Sequence, residues 1–461
     1  MPPGFGPGAP LFSGASQLKS CTMTSDMNVK KLIPQQFINN LHYFEALAAS
    51  FAYRNPSRHM ITIGIVGSKG KTTLANLLWA ALTGDPKQPK TVGLVGTANI
   101  RIGEQETLNP YHMTMPGRHH LQKLLKNMQA AGCEFAIMEV PSEGQAQWRH
   151  IGIHFDMLIF TNVTRELMAS HNYSLEILHQ HNQRVFEQTA RQKPKVVSGR
   201  IQPKILIANA DAEHFLQYFA HQADIKRSYS VHAKSDYRAT RITNTPTGSH
   251  FVINKHAYDI AIPGEINVSN ATGAIAAALE LGRSPHAIAL GLEQLGAIPG
   301  RMERIEAGQN FTVIVDYAHE ETGMQALMDG AQTMVDRKHK IITLLGAEGG
   351  GRDTVKRPIM GQIAMRGSDY VVISNVDPYN DDPSTIIDDI ANGVRKAKGK
   401  DGSTYFRIAD RRAGIRKALA LAKPGDLVLI TGKGAEQSMV IGGKKIAWDD
   451  RVVVREELAQ L

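Results

Sequence analysis

Seven consecutive residues near position 70 have the composition of a phosphate-binding loop: Gly67-Ser68-Lys69-Gly70-Lys71-Thr72-Thr73. Glycines let the backbone curl until successive N–H groups face one anion, and a helix that begins there adds a favourable dipole. Lys71 would reach the terminal phosphates of a nucleotide, and the Thr72 hydroxyl would ligate Mg²⁺. Ile65 stands where the longer form of this loop has its first glycine. The loop predicts binding of ATP with Mg²⁺, and the alternative is a chance Gly-Lys turn.

The residues on either side of this loop predict the strand and the helix that position it. The stretch HMITIGIVG (59–67) is a β-rich apolar run, and TLANLLWAALTG (73–84) is an amphipathic helix that ends at Gly84. Further apolar strands alternate with helical stretches such as residues 118–131, and these strands are TVGLVGT (91–97), FAIMEV (135–140) and FDMLIFTNV (155–163). Strands that alternate with helices are typical of an α/β fold with a mostly parallel sheet.

The second half of the chain predicts a second α/β unit. A strand-rich stretch at about 204–262 precedes a helix at 267–281, and IPGRME (298–303) is a Pro-Gly turn that suits a domain joint. Four strands of the buried type lie beyond it: FTVIVDYAH, KIITLLGAEGG, YVVISNV and LVLITGKG. We therefore expect a leader and a helix over residues 1–58, a central ATP-binding domain over 59–297 and a C-terminal α/β domain over 298–461.

The N-terminal residues contain two segments of different character. Residues 1 to about 26 are rich in Gly, Pro and Ser, which predicts a disordered leader, and they lack the basic start and apolar core of a signal peptide. Residues 30–52 carry apolar side chains at helical spacing: Phe37, Leu41, Phe44, Leu47 and Phe51. We expect this helix to pack on the next domain; the alternative is peripheral contact with a membrane surface, behind Lys30 and Lys31.

The composition limits the class of protein. The chain has 461 residues, and its 52 Lys and Arg against 43 Asp and Glu leave a net charge of +9, which suits anionic partners. No recognition motif for nucleic acid accompanies this charge, so we expect no nucleic-acid partner. Cys21 and Cys133 cannot form a disulfide framework or a four-ligand zinc site, and a reducing, cytoplasmic location fits best.

The phosphate loop and its neighbours resemble the Mur ligases, which are ATP-dependent amide-forming enzymes of peptidoglycan assembly. GIVGSKGKTT is similar to the loop of that family, and further matches follow in the family's order. They are MEVPSEG (138–144), FTNVTRE (160–166), PGEINVSNATGAIAA (263–277), IPGRMERIEAG (298–308), VIVDYAH (313–319), GGGRDTVKRPIMG (349–361), DDPSTIIDDIANGV (381–394) and GKGAE (432–436). The resemblance covers about residues 59–461 and is nearest to the UDP-N-acetylmuramyl-tripeptide synthetase branch.

This resemblance implies a fold and a reaction. It implies a central P-loop ATPase-type domain followed by a Rossmann-like domain, with the ligand cleft between them. ATP would phosphorylate the carboxylate of a muramyl peptide, carried on UDP or on lipid, and an amino acid would displace the phosphate from the resulting acyl phosphate. The alternatives are a folylpolyglutamate or poly-amino-acid ligase, a weakly active or non-catalytic ATP-binding homologue and, more remotely, a nucleic-acid-binding ATPase.

The resemblance also implies roles for residues outside the loop. Glu139 matches a Mg²⁺-binding glutamate, and Asn267 and Asn270 match asparagines that contact the nucleotide. Arg301 would reach an ATP phosphate, and Asp316 would accept from the ribose hydroxyls. The simpler alternatives are an acidic strand end, helix caps, an interdomain salt bridge and a turn residue, respectively. His319 and Lys433 are either cleft residues or ordinary surface residues.

Some positions depart from the family pattern. Leu167 stands where the family has a histidine metal ligand, and the carbamylated lysine of the family falls on His181 or Asn182. These side chains offer no hard oxygen for a second metal, so we expect that metal to be weak or absent and ligation to be slow. His171 does match a family histidine, with helix capping as the alternative.

The pattern also changes in the amino-acid pocket and at the front of the chain. The motif D-N-P-R, whose arginine holds the carboxylate of the incoming amino acid, becomes Val376-Asp377-Pro378-Tyr379, and Ala435 replaces the histidine of GKGHE. Only about 60 residues precede the loop, against about 90 or more in the uridine-nucleotide-binding domain of the family. The identity of the added amino acid therefore does not transfer, and we expect a truncated or absent first domain.

Overall fold

The computed structural model describes residues 35–87, 90–111, 113–164 and 171–461. The first described element is helix α1 (Gln35–Ala52), which is followed by a 3₁₀ turn (Pro56–His59). Within these residues, no helix is long and apolar enough to cross a membrane. The predicted leader lies outside the described residues.

A nine-stranded sheet forms the centre of the first large unit. Its strands are β1 (Ile61–Val66), β2 (Val92–Val95), β3 (Asn99–Ile102), β4 (Gln105–Leu108), β5 (Phe135–Val140), β6 (Met157–Phe160), β9 (Ile205–Asn209), β10 (Ile225–Ser230) and β11 (Tyr237–Arg238). Their order is β11-β10-β9-β6-β1-β5-β2-β3-β4, and every neighbouring pair is parallel except β2–β3 and β3–β4. The mostly parallel sheet is confirmed; the antiparallel edge was not predicted.

Helices and small sheets surround this central sheet. The helices are α2 (Lys71–Thr83), α3 (Arg118–Ala130), α4 (Ser142–Ala146), α5 (Leu175–Arg191), α6 (Phe215–Phe219), α7 (Glu265–Glu280) and α8 (Pro285–Gln294). A two-stranded hairpin is made of β7 (Val196–Val197) and β8 (Arg200–Ile201), and an antiparallel sheet of β12 (Thr240–Thr245), β13 (Gly248–Ile253) and β14 (His256–Ile260). Strand β1 is buried along nearly all of its length, which explains its continuous apolar sequence.

The second unit is a six-stranded sheet with the order β15-β16-β20-β17-β18-β19. Its strands are β15 (Glu303–Arg304), β16 (Thr312–Asp316), β17 (Ile341–Leu345), β18 (Tyr370–Ile373), β19 (Tyr405–Arg407) and β20 (Leu427–Thr431), all parallel to their neighbours except β15. A hairpin of β21 (Ser438–Ile441) and β22 (Lys444–Ala447) follows. The helices are α9 (Glu321–Met334), α10 (Lys356–Gly367), α11 (Pro383–Lys396), α12 (Arg411–Leu421) and α13 (Asp450–Leu458). The α/β fold with a second sheet is confirmed, whereas the domain boundaries at 58/59 and 297/298 stay predictions.

Helix α1 forms as the spacing predicts, but its apolar stripe does not pack on the central unit. Ala46, Ala49 and Ser50 are buried, and the Ser50 hydroxyl donates to the Gly152 carbonyl over 2.7 Å. Leu41, Phe44, Leu47 and Phe51 are instead exposed, Phe51 by 80%. The expectation that this helix packs on the next domain is confirmed, but its small side chains make the contact and its apolar stripe does not. Small side chains allow the closer approach, and helical spacing alone does not reveal which face is used.

Helix α2, which begins in the phosphate loop, is held by a close approach to α8. Gly84 follows α2, Gly291 lies within α8, and a Cβ added at Gly291 would overlap the Ala80 carbonyl oxygen. The two backbones thus meet with no room for a side chain. This contact fixes the helix that carries Lys71 and Thr72 at its first turn.

We predict that Gly291→Ala lowers the free energy of unfolding by about 1–3 kcal/mol, because the added methyl group must push the helices apart. Chemical denaturation followed by circular dichroism measures the change. Gly296→Ala is the matched control, since a Cβ there would meet open space. Equal stabilities for the two variants would contradict the proposed close contact.

Candidate active site

A cleft of about 820 Å³ lies between the two large sheets. It is lined by every residue that the sequence predicted for the site: Gly67, Ser68, Lys69, Gly70, Lys71, Thr72, Thr73, Glu139, Asn267, Asn270, Arg301 and Asp316. The central unit contributes the carboxyl ends of β1 and β5, where ligands bind in parallel sheets. The structure brings these residues together; their individual roles stay predictions.

The loop has the backbone of an anion-binding turn. Gly67 and Gly70 have φ angles of 138° and 83°, and a Cβ at Gly70 would overlap the Asn270 side chain. The Lys71 ammonium donates to the carbonyl oxygens of Gly67 and Ser68, over 2.6 and 2.8 Å. The loop therefore fits a triphosphate: its glycines leave room, and its lysine bonds to two carbonyls that a phosphate can replace.

Oxygen atoms suited to a hard cation surround Glu139, which is 1% exposed. Its carboxylate accepts from the Thr72 hydroxyl over 3.1 Å and from the Thr97 backbone N–H and hydroxyl over 2.7 and 2.8 Å. Because the one Thr97 hydroxyl proton goes to the carboxylate, the Thr114 hydroxyl, 2.9 Å away, donates to Thr97. This donor set fits Mg²⁺ beside the loop. Among the described residues, no cluster of three or more His, Cys, Asp or Glu could hold a metal by itself.

Arg301 crosses the cleft from the second unit to the loop. Its guanidinium donates to the Thr72 hydroxyl oxygen over 3.2 Å and stacks 4.3 Å from the centre of the Tyr317 ring. Burial, with Glu436 nearby, raises the pKa of Tyr317 well above its usual value, so its hydroxyl stays protonated and donates to Glu436. The neutral Tyr317 ring thus holds the positively charged Arg301 guanidinium beside the loop. Arg301 therefore connects the two units by a hydrogen bond. The alternative role, an interdomain salt bridge, is not seen among the contacts of the described residues.

The hydrogen bonds of Asp316 and the start of helix α7 bear on the roles predicted for Asp316, Asn267 and Asn270. The Asp316 oxygens accept from the Met302 and Ala318 backbone N–H groups, each over 2.8 Å, and each oxygen retains a lone pair. Helix α7 has Gly264 at its N-cap, and the Asn267 amide donates to the Pro263 carbonyl over 2.8 Å. Neither asparagine is therefore the N-cap.

Two partly buried carboxylates on the second unit are paired with lysines. Glu348 accepts from Lys356 over 2.9 Å, and Glu320 pairs with Lys69 of the loop. Burial would raise the pKa of Glu320, but Lys69, His319 and Lys356 outweigh it and lower that pKa to about 2. Glu320 is therefore ionised at neutral pH. His319 lines the cleft beside Glu320, and the prediction that it is a cleft residue is thereby confirmed.

Lys433 is neither a cleft residue nor a surface residue. Its ammonium is fully buried and donates to Asp377 and Glu436, each over 2.6 Å. Both interpretations from the sequence are wrong here, because the two acids that enclose this lysine come from separate segments. Tyr379, at the position of the family's arginine, lines the cleft and accepts a hydrogen bond from Arg352.

The place of the carbamylated lysine holds uncharged side chains. His171 bonds to the Ser142 hydroxyl through Nε2 and to His181 through Nδ1, each over 3.0 Å. Burial, together with Arg184 and His171, lowers the pKa of His181 to about 4, so its imidazole is neutral at pH 7. Asn182 is buried and accepts from Gln145 over 3.3 Å. The His171 side chain caps no described helix, and Leu167 lies outside the described residues.

Sequence reasoning missed several residues that line the cleft: Thr97, Thr114, Arg149, Glu320 and Arg352. A signal existed for Thr97 and Glu320, since each follows closely on a buried strand at the edge where parallel strands end. Arg149 donates to the Met115 carbonyl oxygen, a contact that has no sequence signature.

Two family models match the chain. The model described as the Mur ligase middle domain matches residues 65–278, and the one described as the Mur ligase, glutamate ligase domain, matches residues 300–434. The second match begins within the Pro-Gly turn at 298–303, and residues 279–299 lie between the two matches.

Curated relatives are similar over most of the chain. A UDP-N-acetylmuramyl-tripeptide synthetase of Roseiflexus sp. (strain RS-1) is 36% identical over 423 residues, which cover 90% of this chain and 81% of that protein. A UDP-N-acetylmuramoyl-L-alanyl-D-glutamate--2,6-diaminopimelate ligase of Clostridium tetani (strain Massachusetts / E88) is 34% identical, with coverage of 90% and 81%.

Solved structures share the fold. A UDP-N-acetylmuramoyl-L-alanyl-D-glutamate--2,6-diaminopimelate ligase matches with a TM-score of 0.56 and 26% identity, over 87% of this chain and 78% of that chain. A folylpolyglutamate synthase of Mycobacterium tuberculosis matches with a TM-score of 0.65 over 85% and 92%, but at 16% identity it shows the fold alone. The chain therefore belongs to the Mur ligase family, whose members are ATP-dependent ligases that form amide bonds.

Proposed function

We propose that the protein joins an amino acid to the carboxylate of a UDP-linked muramyl peptide at the expense of ATP, in the cytoplasm. The observation that carries this proposal is the convergence of the phosphate loop, the Thr72–Glu139–Thr97 oxygens and Arg301 in one cleft. The names of the relatives supply the substrate class. Neither these relatives nor the described residues support a lipid-carried acceptor or contact with a membrane.

The residues of the cleft have separate tasks in this proposal. The backbone N–H groups of residues 70–72 bind phosphate oxygens. Lys71 exchanges its two carbonyl partners for the terminal phosphates. When bound, ATP supplies the phosphoryl group that activates the carboxylate, and Mg²⁺ supplies charge that neutralises its oxygens. Arg301 adds a second positive charge on the opposite side. Asn267, Asn270 and Asp316 hold the nucleoside part.

We propose one well-occupied metal site, formed by Thr72 and Glu139. The His181 imidazole, which is neutral and bonded to His171, gives a second divalent cation no anionic ligand at this position. Charge neutralisation in the transition state is then weaker, and one missing electrostatic contact commonly costs about 2.7–4 kcal/mol. The proposal therefore includes slow ligation with ATP binding preserved.

The incoming amino acid would bind at the end of the cleft formed by Arg352, Tyr379 and Ser438. Among the described contacts the Arg352 guanidinium forms no ion pair; burial lowers its pKa, but Tyr379, Glu348 and Glu143 raise it above the usual value. It can therefore bind the α-carboxylate of the amino acid, with the Tyr379 hydroxyl beside it.

One experiment separates this function from its alternatives. The purified protein is incubated with ATP, Mg²⁺, UDP-N-acetylmuramoyl-L-alanyl-D-glutamate and a panel of amino acids that includes 2,6-diaminopimelate. A ligase releases phosphate and yields a UDP-linked product heavier by one amino-acid residue. Phosphate release only with a folate or poly-amino-acid acceptor would favour that alternative. Nucleotide binding without turnover on any acceptor would favour the non-catalytic homologue.

We predict that Lys71→Ala weakens ATP binding about 10- to 100-fold and abolishes ligation, because a charged hydrogen bond to phosphate contributes about 1.5–3 kcal/mol. The fold should stay intact, since this side chain bonds to two carbonyl oxygens of its own loop. Titration calorimetry measures the affinity, and Lys123→Ala on α3 is the control. Near-normal ATP affinity in Lys71→Ala would remove the phosphate-loop assignment.

We predict that Thr97→Val lowers the apparent affinity for Mg²⁺ about tenfold, because the partners of a metal ligand fix its orientation. Glu139 loses one of its two Thr97 donors in this variant. The Mg²⁺ dependence of ATP binding is the measurement, and Thr97→Ser, which keeps the hydroxyl, should resemble the wild type. Identical Mg²⁺ dependence for the valine and serine variants would contradict a metal site at Glu139.

A further inference from the structure

An ion pair joins the phosphate loop to the second unit across the cleft. Lys69 belongs to the loop, and Glu320 lies between β16 and α9 on the opposite side. Their side chains are 21% and 14% exposed. Because both line the cleft, the pair occupies space in the cleft beside the residues proposed to bind phosphate.

The backbone of Lys69 is fixed while its side chain extends toward Glu320. Its N–H donates to the Asn162 amide oxygen over 3.0 Å, and its carbonyl accepts from the Thr161 hydroxyl over 2.8 Å. Lys69 therefore cannot move away from the loop as a whole. Since Lys71 is only two residues further on, a side chain as long as lysine reaches phosphates bound to the same loop.

Glu320 remains an anion in this position. His319 Nε2 lies 3.6 Å from one carboxylate oxygen, and the Lys69 ammonium contacts the other. A carboxylate and a triphosphate are both acceptors for the same ammonium, and two anions close together repel each other. The partners of Lys71, by contrast, are neutral carbonyls.

We propose that Lys69 is a second phosphate-binding lysine and that Glu320 occupies it until ATP displaces the carboxylate. This inference rests on the proposed ATP site. The exchange makes Glu320 a competitor of the nucleotide for the loop. The larger charge of a triphosphate competes better than that of a diphosphate, so the pair favours ATP over ADP.

Titration calorimetry of ATP and ADP in the presence of Mg²⁺ tests the exchange on the full chain. Glu320→Gln should tighten ATP binding about three- to tenfold, because the competing charge is gone. Lys69→Gln should weaken ATP binding about tenfold and ADP binding less. In the double variant, the effect of Glu320→Gln should shrink, since there is no lysine left to release.

Glu321→Gln is the matched control. It removes the same charge from the same side of the cleft and has no ion pair among the described contacts, so it should change the affinity for ATP less than about twofold.

The results that overturn the inference differ from those that overturn the proposed function. Unchanged or weaker ATP binding by Glu320→Gln, in a variant whose circular dichroism matches the wild type, would show that Glu320 does not compete. Unchanged affinity in Lys69→Gln would show that Lys69 does not bind phosphate, whatever the Glu320 variant does. Absence of ATP binding by the wild-type protein would instead remove the ATP site on which both rest.

Discussion

The register of three neighbouring parallel strands is the constraint on which the site depends. Val66 of β1 lies opposite Val140 of β5 and Phe160 of β6, so the three strands end at the same level. The residues that follow them therefore meet: the phosphate loop after β1, Ser142 after β5, and Thr161 and Asn162 after β6. Ile65 pairs with Glu139 in the same register, which sets that carboxylate beside the Thr72 hydroxyl. A slip of one residue would turn Glu139 to the other face of the sheet.

The cleft must hold two anionic substrates together, and its charges are arranged accordingly. Before nucleotide binds, its cations already have partners within the protein: Lys71 bonds to carbonyls, Lys69 to Glu320 and Arg301 to Thr72. The Glu320 carboxylate offsets the charge of Lys69, and neutral oxygens solvate the other two cations in a partly buried space. The Lys69 and Arg301 contacts also join the two units in the absence of ligand. Lys71 bonds to neutral carbonyls, whereas Lys69 pairs with a carboxylate. Lys71 is therefore released to a phosphate more easily than Lys69.

Features encoded locally were predictable from the sequence, and features that arise between distant segments were not. The loop, the helix that begins at Lys71 and the alternation of strands and helices follow from residue type and spacing. The exposure of the apolar stripe of α1 could not be predicted in this way, because periodicity identifies an apolar face of a helix but not the element that packs against it. Lys433 and Glu320 depend on partners more than 50 and 250 residues away in sequence. Their environment exists only after the sheets have formed.

A crystal structure with a non-hydrolysable ATP analogue and Mg²⁺ tests the central claim most directly, which is that the loop and the Glu139 oxygens form one nucleotide site. We expect the triphosphate on the backbone of residues 70–72, one Mg²⁺ between Thr72 and Glu139, and Glu320 separated from Lys69. A nucleotide bound elsewhere, or a metal remote from Glu139, would contradict it.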